Sequence, residues 1–284
     1  MKEPTVIFVH IPKTAGTTLV HIADRQYPAR TRMHLERHDE SVREFQALPE
    51  ARRAEIRFLR GHIPYGLHAY CPRPTAYFTL LREPVDRLLS YYYYVQQEPR
   101  HYLYDYANQP GMTLKRYVED RMSLQMDNMQ TRLISGMWTT PGFGECDQST
   151  LALAKRNLEQ HFDIVGLTER FDETLLLLKK AFGWGNIHYA RHNVTSGRPR
   201  SASLDAETLS VLCEWNQLDL RLYRHAQALL AEQVRAYGPT FSRDLQVFRS
   251  TNRLIGPLRR TYWRVRRFSL RTWLKERLGQ SSAA

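Results

Sequence analysis

Hydrophobic positions in this chain follow two rhythms that trade places along its length. Short apolar runs with little alternation stand at VIFVHI (6–11), IRFLRGH (56–62), AYFTLLREP (76–84) and DIVGLTERF (163–171). Runs that do not alternate with polar residues suit strands covered on both faces. Between them, apolar residues recur three and four apart, the spacing of a helix with one buried face. Helices are expected over Thr17 to Asp24, within 35–57 (Val42, Phe45, Leu48), from Pro84 through VDRLLSYYYYVQQ, near 113–121 and 123–135, over 151–162, and along DETLLLLKKAFGW. A last, long helix is expected over 204–236, with Ser203 as its cap. Pro84 suits a first helical turn, where its missing N–H costs nothing. Residues 98–150 are less regular, and NIHYARHNVTSGRPRSAS (186–203) reads as a polar, basic loop. Strands alternating with helices imply an α/β, three-layer fold with a central, mainly parallel sheet flanked by helices. The expected domain covers 1–240, and 241–284 is a basic amphipathic C-terminal extension.

Composition narrows the class. The 284 residues are 42% hydrophobic and 25% charged, the balance of a soluble globular protein, which excludes disorder and collagen-like repeats. No run approaches 18 apolar residues, so no transmembrane helix is expected, and the first residues read as a strand of the fold and not as a secretory signal. Cys71, Cys146 and Cys213 form no CxxC pair, which points to neither a zinc site nor a disulfide framework and agrees with a cytoplasmic home. The net charge is +12, with 41 Lys and Arg against 29 Asp and Glu. Residues 249–277 hold ten Lys or Arg and the single acid Glu276, so most of the excess sits there. Trp263, Phe268 and Trp273 are interleaved with those charges, the pattern of a segment lying on an anionic membrane surface. A solvated basic end is the plain alternative, and nucleic acid is a third and weaker one.

The sharpest local feature is the segment from Val6 to Thr18, VIFVHIPKTAGTT. An apolar strand ends, a tight loop follows, and a helix begins. Loop amides and a helix N-terminus then point into one concavity that favours anions. Lys13 adds a mobile positive charge, Thr17 and Thr18 add hydroxyls, and Gly16 lets backbone approach a phosphate. The loop is not a Walker A sequence, in which the Lys follows the second Gly. Neither following strand ends in an Asp suited to magnesium; the strand at 76–81 ends in Arg82. The second feature is LLREPVDRLLSYYYY (80–94), where Arg82 at a strand end and Ser90 two turns along the next helix are suited to converge on one phosphate.

Together these two segments resemble the nucleotide-binding motifs of carbohydrate sulfotransferases that use 3'-phosphoadenosine 5'-phosphosulfate (PAPS), in particular the branch that includes heparan sulfate 2-O-sulfotransferase. RGHIPYG, DNMQTRLISG (127–136) and VGLTERFDETLLLL (165–178) extend the resemblance over about residues 5–236. It implies a P-loop-like fold and a set of roles. Lys13 stabilises the leaving phosphate. Thr14, Ala15, Gly16, Thr17 and Thr18 hold the 5'-phosphosulfate. Arg82 and Ser90 hold the 3'-phosphate, and His62 is the general base. Arg198 and Arg200 are candidates for a basic loop closing on the 3'-phosphate. A His-Gly-His arrangement of the family is Arg60-Gly61-His62 here, so a single histidine of that pair is present.

The residue types suit the chemistry without the family. Sulfuryl transfer is an in-line displacement governed by positioning and charge stabilisation, and the donor already carries a phosphate leaving group, so no metal is expected. An imidazole near neutral pKa suits the task of activating a sugar hydroxyl. The expected function is sulfation of a carbohydrate or glycolipid hydroxyl. The rivals are a P-loop-type kinase and a non-catalytic membrane- or glycan-binding module. His10 reads as structural, Tyr91–Tyr94 as core packing with at most two rings facing a cleft, and Arg132 and Asn128 either as contacts to ligand or as an ion pair and a cap.

Overall fold

In the computed structural model, which describes residues 3–35, 38–190 and 201–255, the apolar runs become strands of one sheet. The strands are β1 (Thr5–Val9), β2 (Arg32–Leu35), β3 (Phe58–Gly61), β4 (Thr75–Leu81) and β5 (Phe162–Leu167), in the order β2-β3-β1-β4-β5. All four pairings are parallel. β1 lies at the centre and is buried along its whole length, as its unbroken apolar run requires. The expected mainly parallel, helix-flanked sheet is therefore observed. β2 was not foreseen: it is four residues long, and Arg32 and His34 interrupt any apolar pattern.

The helices are α1 (Gly16–Ala23), α2 (His38–Ala47), α3 (Glu50–Glu55), α4 (Pro84–Gln97), α5 (Tyr104–Ala107), α6 (Leu114–Glu119), α7 (Met129–Ser135), α8 (Gln148–His161), α9 (Phe171–Phe182), α10 (Ala206–Glu214) and α11 (Gln217–Tyr237). The long helix expected over 204–236 is two helices. The chain breaks at Trp215 and Asn216, where the Asn216 amide donates to the carbonyls of Met126 and Leu212. Asp205, and not Ser203, caps the first of them by accepting from the Thr208 N–H. The helix expected over 123–135 is a short 3-10 turn followed by α7.

The main core joins the sheet to α1, α7, α8, α9 and α11. A second cluster, built on α4 with Leu103, Tyr117, Met126 and Leu212, supports the irregular stretch after α4. A further helix over 241–255 packs on the main core through Phe241 and Phe248, which are buried. The core thus extends beyond residue 240, the boundary expected from charge, because apolar Phe241 and Phe248 precede most of the basic residues. Of the basic segment 249–277, residues 256–277 lie outside the described residues. Among the described residues no helix is long and apolar enough to cross a membrane.

Because every strand runs the same way, all carboxyl ends fall on one edge. β1 leads through α1 to β2 and β3 on one side, whereas β4 and β5 lie on the other. The connections part beside β1, where open α/β sheets form a crevice at their strand ends. Val9 is level with Gly61 on β3 and Thr79 on β4. The loop after β1, His62 and Arg82 are therefore neighbours by topology.

Candidate functional site

The loop after β1 is shaped by its own backbone. The His10 N–H donates to the Gly61 carbonyl at 3.0 Å and extends the pairing with β3 by one residue. The Thr14 hydroxyl, fully buried, donates to the Ile11 carbonyl at 2.8 Å. Lys13 (φ 71°) and Ala15 (φ 63°) are left-handed, and Thr14 between them is not. Such alternation turns successive amides toward one side, and it precedes the open N-terminus of α1, whose cap residue is Ala15. Two non-glycine residues in this region cost about 1–2 kcal/mol each, strain that clusters at binding sites. Thr17 is exposed and Thr18 is buried at the same helix start. The loop amides, Lys13 and Thr17 remain suited to an anion, whereas the Thr14 hydroxyl is already committed to the loop.

Gly16 has a packing reason beside the one expected. Its φ is not positive. A Cβ placed on it would stand 1.7 Å from Nε2 of His10. The residue is glycine because the His10 ring lies against its Cα. His10 is itself the end of an aromatic row on one sheet face: its ring stacks on Phe8 at 5.1 Å, and Phe8 stacks on Phe78 at 4.7 Å.

His62 follows β3 directly, and its ring lies 4.3 Å from that of His10. Its Nδ1 meets the His10 carbonyl at 2.7 Å. A carbonyl only accepts, so Nδ1 carries the proton and Nε2 is the basic nitrogen of the neutral ring. Burial pushes the His62 pKa below the usual imidazole range, against the hydrogen bond to His10; the nearby charges of His34 and Lys13 lower it further. His10 is held well below that range, first by burial and then by His62, Arg60, His34 and Lys13. Both rings are therefore neutral at pH 7. Arg60, in the position of the absent histidine, pairs with Asp24 at 3.4 Å.

Arg82 leaves the end of β4, and its Nη1 donates to the Lys13 carbonyl at 3.0 Å. This bond ties the two sequence motifs together directly. The Arg82 backbone is clamped by a residue that sequence reasoning missed. The fully buried Gln130 amide accepts from the Arg82 N–H at 2.9 Å and donates to the Arg82 carbonyl at 3.0 Å. Its only signal was its place in DNMQTRLISG. Gln130 is set in turn by paired caps. The Asp219 carboxylate accepts from the N–H groups of Gln130 and Thr131, while Asn128 Oδ1 accepts from those of Leu218 and Asp219. Asn128 is thus a cap. Arg132, fully buried, pairs with Asp127 and reaches the carbonyls of Pro141 and Gly142. Both belong to the frame.

α4 begins with Glu83 as its cap, accepting from the Asp86 N–H at 2.7 Å. Ser90 is buried one turn before Tyr94, on the same side of the helix. The Lys13 Nζ lies 4.0 Å from the centre of the Tyr94 ring. The Ser90 side of α4 therefore turns toward the Lys13 loop. Tyr91 and Tyr92 are core residues as expected, but Tyr94 is partly exposed and carries Lys13. Arg198 and Arg200 lie outside the described residues. Among the described residues no group of three or more His, Cys, Asp or Glu is placed to hold a metal ion.

Comparison with known proteins adds a family to this geometry. A profile described as Galactose-3-O-sulfotransferase matches residues 2–259. Galactose-3-O-sulfotransferase 3 of Bos taurus is 26% identical over 84% of this chain and 59% of its own length. Galactose-3-O-sulfotransferase 2 of Homo sapiens is 27% identical over 81% of this chain and 61% of its own. Galactosylceramide sulfotransferase of Bos taurus is 37% identical over a shorter stretch, 34% of this chain and 23% of its own. The chain thus spans about three fifths of the length of the first two relatives. The matched family is a carbohydrate sulfotransferase family, as the motifs implied. Those motifs are mainly donor-side loops, which say little about the acceptor.

Proposed function

This chain belongs to the galactose-3-O-sulfotransferase family, and from that premise we propose that it moves a sulfuryl group from PAPS to a hydroxyl of a galactose-bearing carbohydrate or glycolipid. The names of its relatives point to the 3-hydroxyl. The observation that carries the reading is the Arg82 guanidinium bonded to the Lys13 carbonyl, with His62 beside the same loop. One crevice then holds a cation for the leaving phosphate, a cation for the 3'-phosphate and a neutral base.

The acceptor hydroxyl oxygen attacks sulfur, forming a new S–O bond as the S–O bond to the 5'-phosphate breaks. The hydroxyl proton passes to Nε2 of His62, which is free to accept it because Nδ1 is held by the His10 carbonyl. The negative charge that develops on the leaving 5'-phosphate is met by Lys13 and by amides of the 13–18 turn. Arg82 and Ser90 receive the 3'-phosphate, with Arg82 kept in place by Gln130. The Lys13 ammonium, over the Tyr94 face, is held near the loop before the donor arrives.

The test is incubation of the purified protein with PAPS and lactose, with sulfated lactose detected by mass spectrometry. Product in the parent and its loss in His62→Ala support the reading. Transfer from ATP and magnesium, with none from PAPS, favours a kinase instead.

A further inference from the structure

The stretch after α4 carries aromatic side chains that the transfer step does not use. His101, Tyr102, Tyr104 and Tyr106 fall within six residues. Tyr102 is 76% exposed, the highest value among the large hydrophobic side chains described, yet it is not loose. Its ring stacks on His101 with centroids 4.7 Å apart and planes 25° from parallel. One face of the ring is therefore backed and the other is open to solvent.

The backing is itself fixed. Nδ1 of His101 accepts from the Leu103 N–H at 3.1 Å, so in the neutral ring Nε2 carries the proton and faces the Tyr91 hydroxyl at 3.5 Å. That hydroxyl is also 3.2 Å from Ser123 Oγ. His101 also meets the Tyr94 ring edge-on, at 5.8 Å and 85°. Tyr94 is the ring that carries Lys13. An unbroken run of rings therefore leads from the exposed Tyr102 face to the lysine that the transfer reaction needs.

We propose that Tyr102, seated on His101, is a stacking platform for a pyranose ring of the acceptor, a subsite at the outer end of the run of rings that leads to Lys13; this rests on the sulfotransferase reading above. A rigid aromatic face backed by a second ring suits a ligand with an apolar face and a polar rim. A galactopyranose has that form. Its axial O4 leaves a continuous C–H patch on the opposite face, and the ring hydroxyls stay free at the edge. An equatorial O4 gives a less polarised pair of faces, so the platform also favours galacto- over gluco-configured acceptors. The ring is attached to a frame of buried residues and so loses little freedom on binding.

The test uses the full chain with PAPS and lactose, comparing parent, Tyr102→Ala and Tyr102→Phe. Tyr102→Ala should raise the KM for lactose about tenfold, the size of a lost ring contact. The KM for PAPS and the affinity for adenosine 3',5'-bisphosphate should match the parent. Tyr102→Phe, which keeps the ring, should stay within about twofold of the parent. An unchanged lactose KM in Tyr102→Ala overturns the platform, as does an equal loss of bisphosphate affinity, which marks a structural role. Saturation-transfer NMR of lactose, on parent and Tyr102→Ala with bisphosphate present, judges the platform without turnover. Bisphosphate binding with no lactose contact in the parent overturns the platform and leaves the donor reading standing. Failure to bind bisphosphate overturns the donor reading, whatever the lactose result.

Discussion

The close contact between Gly16 and His10 gives a prediction with a size. In Gly16→Ala the new methyl would start 1.7 Å from His10 Nε2, with Cδ2 at 2.2 Å and Cε1 at 2.5 Å. Ordinary carbon contacts are about 3.5–4.0 Å, so the imidazole must move about 2 Å. It has little room, being stacked on Phe8 and lying 4.3 Å from the His62 ring. Overpacking of this kind costs about 1–3 kcal/mol. In a chain of this size each kcal/mol lowers Tm by about 2–4 °C. The assay is thermal and urea unfolding of parent, Gly16→Ala, His10→Ala and the double variant. Removing the His10 ring opens the space that the methyl needs, so the double variant should recover most of the Gly16→Ala loss. The coupling should reach about 1–2 kcal/mol, within the range of about 0.5–3 kcal/mol for residues in contact. A Gly16→Ala protein as stable as the parent, or a double variant that loses the sum of the two single losses, refutes the packing argument.

His62→Ala should lower turnover by about 10²–10⁴-fold while bisphosphate affinity in calorimetry stays near that of the parent; full turnover removes His62 from the base role. The pH profile of kcat/KM should hold level through the ordinary imidazole range and fall at a lower pH, because a base with a depressed pKa is lost only when protonated. Stability has the same sign for His10. Its folded pKa is depressed, so the unfolded state binds more protons, and stability present above about pH 6.5 is lost as pH falls toward the folded value. His10→Ala should flatten that acid-side slope in urea titrations from pH 7 to 5, and an unchanged slope contradicts the assignment. Arg82→Ala should weaken bisphosphate binding by about 10–100-fold, the range for a lost hydrogen bond to a charged group. Gln130→Ala should weaken it in the same direction with the guanidinium intact, by freeing the Arg82 backbone; equal affinity in parent and variant contradicts the clamp.

The fold was legible where one period dominated. β1, β4 and β5 carry short, nearly unbroken apolar runs, and burial on both faces accounts for such runs. β2 escaped because an edge strand of four residues needs no apolar pattern, only a partner in β3. The break between α10 and α11 escaped for a related reason. Leu212, Trp215, Leu218 and Leu222 keep helical spacing across it, and only the tertiary partners of Asn216 reveal the turn. That the Lys13 loop, His62 and Arg82 lie together was legible because each stands next to a strand end, and a parallel sheet gathers strand ends. Gln130 was not, since a buried amide acting through a backbone has no local signature. The packing role of Gly16 was not legible, since it makes room for a histidine six residues earlier and no local pattern shows that contact.

The central claim is that the crevice formed by the Lys13 loop, His62 and Arg82 is built for a 3'-phosphorylated adenine nucleotide. Calorimetric titration of the protein with adenosine 3',5'-bisphosphate, and separately with ATP and magnesium, tests it most directly. Tight, metal-independent binding of the bisphosphate and weak binding of ATP are expected. A preference for ATP with magnesium, or no binding of either nucleotide, contradicts it.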